Sequence, residues 1–418
     1  MLLTPPLDSN LSLFQLALGI QDPYFVKDTV FSKENGQMDI YLDFKKNSLL
    51  VCPLCDENHS IHGFESRVWR HLNFFQYQCF IHAPQIRVKC DKHNKTTNIT
   101  VSWARNNSGF TLLFEAFAIE LANHMPLSVA GGILNIYDNR LMRIVKHYVD
   151  KARSKMDMLE VKRISVDETS KAKGHDYISV FTDLNKAKVL FVAEGRESAV
   201  FKDFTEDLKN HNGNSKNIET VCMDLSKSFI KGAEDELLQA QIVFDKFHVV
   251  GYINKALDEV RRQEQKENPL LNNSRYAFLH NPENTTGKQK QTLDKLCRLN
   301  LKTVKAYNIK LGLQNIYGLM SSYYAEQKLK QWYFWATHCR LQPIIDAAKT
   351  IKRHWKGVVM YFKDRVTNGL AESINGIIQT IKRQARGYRN TNNFITMIYL
   401  RLSKLNYDLP AITNLSSR

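Results

Sequence analysis

Lys162-Arg-Ile-Ser-Val-Asp167, Asp176-Tyr-Ile-Ser-Val-Phe-Thr-Asp183 and Lys188-Val-Leu-Phe-Val-Ala193 are short runs rich in β-branched and aromatic residues, separated by polar turn-forming stretches. Runs of this length and composition, so closely spaced, read as three strands of an antiparallel meander. Ser198–His211 then takes up helical periodicity, and Ile218-Glu-Thr-Val-Cys-Met-Asp224 reads as a fourth strand. Ser226–Gln239 reads as a second helix with Ser226 as its cap, and Gln241-Ile-Val-Phe-Asp245 as a fifth strand.

Three antiparallel strands, helix, strand, helix, strand is the order of an RNase H-like core of the α/β class, in which the first and fourth strands are neighbours. Asp167 and Asp224, at the ends of those strands, are then expected side by side. Taken singly, an aspartate after a strand is more often a turn or cap residue; the element order singles these two out. Two ionised carboxylates share a small site only if a cation neutralises them. An all-oxygen set suits Mg2+ or Mn2+. A third acid, Glu372, lies in Thr367-Asn-Gly-Leu-Ala-Glu-Ser-Ile-Asn-Gly, just inside a helical run. Three converging carboxylates can hold two ions, the arrangement that cuts and joins phosphodiester bonds. Asp176 and Asp183 read as strand-edge and turn residues, and Glu168 is expected to point away from Asp167 because strand neighbours alternate faces. Asp245-Lys-Phe-His248 has two readings. Either Asp245 and His248 are an auxiliary metal-site neighbour or general base, or Asp245 caps a helix with His248 buried in the hinge.

Between the fifth strand and Glu372 lies a helical, charged block, residues 250–365, with Arg261, Arg262, Lys328, Lys330, Trp332, Trp335, Lys352, Arg353 and Trp355. It reads as an α-helical insertion able to contact DNA or a second subunit, with most of its aromatics filling its own core. After Glu372 the helix is expected to run through Ile377–Arg389. Its Lys382, Arg383, Arg386 and Arg389 form either a cationic flank for phosphates or a solvated face.

The chain of 418 residues carries a formal charge of +16 and a pI near 9.4. That surplus favours a polyanionic partner, with double-stranded DNA the default. No apolar run approaches the ~20 residues of a membrane span. The N-terminus carries Asp8 and no early Lys or Arg, so it lacks a secretory leader pattern, and a cytoplasmic location is expected. Seven unevenly placed cysteines are no disulfide framework; they suit a reducing compartment with some thiols reserved for metal.

Cys52-Pro-Leu-Cys55 and Cys90-Asp-Lys-His93 form two knuckles with the same gap, matching a tetrahedral structural Zn2+ site, with Cys79, His59, His62 and His82 as competing ligands. Between the knuckles, Arg67-Val-Trp-Arg-His-Leu and Gln85-Ile-Arg-Val-Lys alternate basic and apolar residues, as a β-ribbon with cationic edges would. A helical pattern around Leu11–Leu18 and a strand around Met38–Phe44 precede them. Thr111–Ala122 is an amphipathic helix, Pro126 a break, Ser128 an expected N-cap, and Asp138–Val149 a second helix exposing Asn139, Arg140, Arg143 and Lys146. This is either a helix-turn-helix whose second helix enters a DNA groove or an αα-hairpin joining domains. The expected divisions are an N-terminal segment (1–50), a zinc-binding β unit (51–105), the helix-turn-helix (106–158), the core (159–249 and 366–405) and the insertion (250–365).

Seven motifs in this order resemble one family: Cys52-Pro-x-Cys55 with Cys90-x-x-His93, Met125-Pro-Leu-Ser-Val-Ala, Ile164-Ser-Val-Asp-Glu, Met223-Asp-Leu-Ser, Phe244-Asp-Lys-Phe-His-Val, Thr367-Asn-Gly-Leu-Ala-Glu-Ser-Ile-Asn and Arg386-Gly-Tyr-Arg. The chain resembles bacterial insertion-sequence transposases of the ISL3 group, a DDE family, over about residues 40–405. The resemblance implies a catalytic triad of Asp167, Asp224 and Glu372 with two Mg2+ ions. It also implies an N-terminal zinc finger and helix-turn-helix that read terminal inverted repeats. Asp245 and His248 would be shared family features. One departure is the second knuckle, closed by His93 where the family uses cysteine. The expected activity is metal-dependent cleavage at inverted repeats and strand transfer to target DNA, by a homodimer or higher oligomer on DNA. The competing readings are a transposase-derived DNA-binding regulator without catalysis, and a nuclease of the same fold.

Overall fold

The computed structural model describes residues 9–411 except 173, 175, 281–283 and 367, so Asp8 and Thr367 lie outside the described residues. The chain forms two compact units, Met1–Ala152 with Asn406–Arg418, and Arg153–Leu405.

The first unit opens with α1 (Ser9–Ala17), β1 (Tyr24–Ser32), β2 (Gln37–Phe44), β3 (Leu50–Val51), β4 (Asn58–His59), β5 (Ile61–Phe74), β6 (Tyr77–Cys90) and β7 (Lys95–Asn98). Its main sheet has the order β1-β2-β6-β5, with β7 on β6. Along β6, Cys79, Ile81 and Ala83 are buried at every second position, the period of a strand with one face on a core. β2 pairs in parallel with β6, so Met38 faces Cys79 and Ile40 faces Ile81. One core therefore runs from Ile20 to Ala104, and the sheet crosses the expected division at residue 50. That pairing is long-range, and local pattern carries no trace of it.

Three helices follow: α2 (Leu112–His124), α3 (Leu127–Leu134) and α4 (Asp138–Arg153). Thr111 Oγ1 caps α2 by accepting from Phe114 N at 3.3 Å. Pro126, not Ser128, occupies the cap position of α3, as suits a proline with no N–H to satisfy. The α3–α4 turn closes through Asn135 in the left-handed region. A β-carbon on Gly131 would lie 2.8 Å from Ile136 O and 3.0 Å from Asp138 Oδ1. Gly131→Ala thus forces the backbone of the turn apart, which outweighs alanine's helix preference. A loss of about 1–3 kcal/mol is expected, measured as a lower denaturation midpoint.

The second unit is built on β8 (Arg163–Ser170), β9 (Tyr177–Asp183), β10 (Lys188–Glu194), α5 (Ala199–Asn210), β11 (Thr220–Met223), α6 (Lys227–Glu236) and β12 (Gln241–Phe244). The sheet order is β10-β9-β8-β11-β12. The β8–β9 and β9–β10 pairs are antiparallel, and β8–β11 and β11–β12 are parallel. The first and fourth strands are thus neighbours. Phe181 of β9 stacks on Phe204 of α5 at 4.4 Å, anchoring that helix on the sheet. β8 continues to Ser170, so Asp167 lies inside the strand and not at its end.

After β12 the described residues form α7 (Lys246–Gln265), α8 (Arg275–Leu279), α9 (Gly287–Cys297), α10 (Lys302–Tyr317), α11 (Ser322–Thr337), α12 (Gln342–Arg353) and α13 (Trp355–Asp364). These helices share a continuous core with the sheet. α13 lies so close to β12 that a β-carbon on Gly357 would sit 2.5 Å from the Phe244 ring. Trp332 is buried and its Nε1 donates to Ile309 O at 2.8 Å, whereas Trp335 is partly exposed. α14 (Gly369–Gln384) and α15 (Thr391–Leu402) complete the unit. α14 stops at Gln384 and not at Arg389, because Arg386 and Gly387 take φ of 55° and 94° in a turn.

Candidate metal centres

β8, β11 and β12 carry three matching tetrapeptides: Ile164-Ser-Val-Asp167, Val221-Cys-Met-Asp224 and Ile242-Val-Phe-Asp245. The register sets Ile164 beside Val221 and Val221 beside Ile242. Continued along the strands, it puts the three aspartates in one row. β11 pairs with β8 only as far as Cys222 and Ser165, while β8 runs on beside β9. The row therefore falls where the parallel pairing ends and β8 loses a neighbour.

Asp167 is nearly buried; its Oδ1 accepts from Glu168 N at 2.8 Å and its Oδ2 from Asn375 Nδ2 at 2.9 Å. Asn375 sits on α14, three residues after Glu372, so the two share a helix face. Asp224 follows β11 directly, and its Oδ1 accepts from Ser226 N at 3.0 Å. Glu372 is exposed in the first turn of α14, with its N–H donating to Asn368 O at 2.8 Å. Glu168 turns elsewhere, towards Arg196 at 3.6 Å. Asp183 accepts from Asn185 N and Lys186 N, as a turn residue does. Asp245 caps α7, but His248 is exposed, which corrects the expectation of a histidine buried in the hinge.

Burial pushes the Asp167 carboxyl up to about 6; the Glu168 N–H and His248 oppose the rise, while the like charges of Asp224 and Asp245 add to it. Between the unfolded value of 3.8 and about 6, the native chain holds a proton that the unfolded chain has lost. Stability of the metal-free protein therefore falls as pH rises through that window, by up to about 3 kcal/mol. Thermal melts in chelator should show wild type losing several degrees relative to Asp167→Asn between pH 4 and pH 7. A difference independent of pH would contradict the burial of the Asp167 carboxyl.

Such a group of hard, mutually repelling oxygens fits divalent cations. The three acids do not close into a single-ion shell. Among the described residues, only a cysteine–histidine group gathers three or more donors all within 4.8 Å. Of the expected cationic flank, Lys382 is tied to β8 by donating to Ser170 O at 2.6 Å, and burial lowers its pKa. Arg383, Arg386 and Arg389 are exposed, the last two beyond the helix end.

The cysteine–histidine group is Cys52, Cys55, His59 and Cys90. The β3–β4 hairpin builds most of it, since pairing His59 with Leu50 folds the histidine back onto its own knuckle. Cys55 Sγ lies 3.4 Å from His59 Nε2 and 3.5 Å from Cys90 Sγ. His93, the expected fourth donor, touches Cys90 Sγ through Nδ1 at 3.2 Å but is outside the group. Of the other competing donors, His82 is held by Asp39 at 2.6 Å. Three thiols and one imidazole, with Cys52 and Cys90 wholly buried, suit tetrahedral zinc.

On α4, Leu141, Ile144, Val145, Tyr148 and Val149 face the core, leaving Arg140, Arg143 and Lys146 exposed. Lys146 lies 3.5 Å from Asp150, and the Arg140 guanidinium sits 4.7 Å from the Phe110 ring. A buried Glu115 on α2 accepts from Arg105 Nε, Ser108 Oγ and, at 2.6 Å, Tyr148 Oη, so one carboxylate sets the angle of α4. Nothing in the local pattern singled out Glu115, whose partners are scattered along the chain.

A family model described as "Transposase", for DDE enzymes of the ISL3 group, matches residues 164–398. One described as "Helix-turn-helix domain of transposase family ISL3" matches residues 99–149. A third, "zinc-finger of transposase IS204/IS1001/IS1096/IS1165", matches residues 49–93. The chain is 24% identical over 440 residues to the transposase for insertion sequence element IS1557 of Mycobacterium tuberculosis, covering 97% of this chain and 98% of that one. It is also 24% identical over 392 residues to the transposase for insertion sequence element IS1001 of Bordetella parapertussis, covering 91% and 96%. The three matched segments contain, in turn, the carboxylate row with Glu372, the exposed cations of α4, and the cysteine–histidine group.

Proposed function

The chain belongs to the ISL3 group of insertion-sequence transposases, and from that premise we propose that it cuts DNA at the inverted repeats of its own element and joins the freed 3′-hydroxyl to target DNA. The carrying observation is the row of aspartates where β11 leaves β8, with the Glu372 helix tied to Asp167 through Asn375. The sheet order supports an RNase H-like core, and the run of helices α7 to α13 between β12 and α14 supports reading them as its insertion.

Asp167, Asp224 and Glu372 would hold two Mg2+ or Mn2+ ions, which when bound activate the attacking oxygen and stabilise the leaving one. Asn375 fixes one Asp167 oxygen and so orients the carboxylate. Burial of Asp167 keeps bulk water from one side of the centre. Cys52, Cys55, His59 and Cys90 would hold Zn2+, pinning the β3–β4 hairpin to the end of β6. Arg140, Arg143 and Lys146 on α4 would read or grip the repeat, and Arg383, Arg386 and Arg389 would meet phosphates near the cut. Joining two element ends calls for at least two copies of the chain.

The test incubates purified protein with Mn2+ and labelled DNA from the edges of its own gene. Cuts at the repeat ends together with joined products support the proposal. Cuts without joined products point to a nuclease. Binding without cutting points to a regulator.

A further inference from the structure

Asp245 is wholly buried, and backbone N–H groups engage both of its oxygens. Oδ2 accepts from Phe247 N at 3.0 Å and His248 N at 3.4 Å; Oδ1 accepts from Asn368 N at 3.1 Å. The first two donors begin α7, the helix by which the chain leaves the sheet. The third lies 123 positions later, at the cap of α14 where the chain returns. Asn368 O in turn accepts the N–H of Glu372.

We propose that Asp245 is a positioning residue: it clamps the two ends of the helical insertion together and thereby fixes Glu372 against Asp167 and Asp224. This rests on the reading of Glu372 as the third metal-binding carboxylate. Three N–H donors on one buried carboxylate make charge-assisted bonds, stronger than neutral ones. Among the described residues, Asn368 makes no side-chain cap bond, and its buried Oδ1 and Nδ2 find no hydrogen-bond partner. The backbone bond to Asp245 is therefore the tie that holds residue 368 on that side. By its place in the row Asp245 resembles a further ligand, but its oxygens are committed to the backbone. The helical insertion can then vary in length without moving Glu372, because the clamp lies at its base.

Asp245→Ser in the full-length protein separates the two jobs. Serine still caps α7, but its single, shorter-reaching oxygen cannot also hold Asn368. Hydrogen exchange over residues 368–375 should speed up at least ~10-fold, with β8–β10 unchanged. End cleavage should lose roughly 100-fold in kcat, as a misplaced catalytic group does. KM for the DNA should stay as in wild type, while Mn2+ binds more weakly as Glu372 loses its place. If Asp245→Ser does not fold, Asp245→Asn, which keeps the shape and one acceptor, takes its place. Unchanged exchange, or unchanged cleavage, overturns the clamp. Loss of Mn2+ with unchanged exchange makes Asp245 a ligand instead. Failure of both variants to fold also overturns it, since Asp245 then carries the fold and not the placement of Glu372. If wild type itself does not cleave, the reading of Glu372 fails, while the exchange rates still decide the clamp.

Discussion

Asp167→Asn, Asp224→Asn and Glu372→Gln should each reduce end cleavage by about 100–1,000-fold, while binding to the repeat ends stays within a few fold. Each change removes a charge from a centre whose chemistry depends on charge held at fixed points, and single groups of that kind are worth about 100–1,000-fold. Asp167 carries the larger expectation because it is buried and held at both oxygens. Its amide variant keeps the shape but offers one acceptor where two are used. Pairs of these substitutions should be hardly worse than singles, because the residues act as one unit. Gel quantification of cut ends beside a mobility-shift titration checks both halves. Cleavage retained in the Glu372→Gln variant would remove Glu372 from the catalytic set, leaving α14 beside Asp167 only through Asn375.

Loss of zinc should cost the first unit its fold. Apparent binding free energies of structural zinc are about 10–16 kcal/mol, more than most domains possess in net stability. β3 and β4 are only two residues long each, too short to persist without a cross-link to β6. Cys52→Ser and Cys90→Ser should therefore bind no zinc and lose binding to the repeat ends. The fourth ligand is decided by a pair of variants: His59→Ala should lose zinc and His93→Ala should keep it. Metal analysis of the purified proteins reads this out, and the reverse pattern would restore the pairing of Cys90 with His93.

The core was legible because its strands are local. The meander from Lys162 to Ala193 and the two strand–helix repeats after it follow from residues close in the chain, and the observed bounds differ by a few residues. That Asp167 and Asp224 lie on neighbouring strands was also legible from the strand order, whereas the row they form with Asp245 follows only from the register. What the strand-end reading missed is that Glu168-Thr-Ser170, polar and unremarkable in sequence, continues β8 by pairing with β9. The non-local features stayed hidden. Parallel pairing of β2 with β6 makes one sheet of two expected segments. The packing of α13 on β12 merges the expected insertion with the core of the sheet. His59 and His93 both stand three residues or so from a cysteine, and only the fold-back of the β3–β4 hairpin chooses between them. Spacing alone leaves Asp245 as a metal-site neighbour, a general base or a cap, because its bond to Asn368 joins positions too far apart for any spacing rule.

Diffraction recorded at the manganese absorption edge, on crystals of the protein grown with Mn2+ and its repeat-end DNA, would locate the ions without reference to activity. Two anomalous peaks enclosed by Asp167, Asp224 and Glu372 are expected, with Asp245 still on its backbone donors. Manganese elsewhere, or bound without Glu372, would contradict the assignment of this row as the catalytic centre.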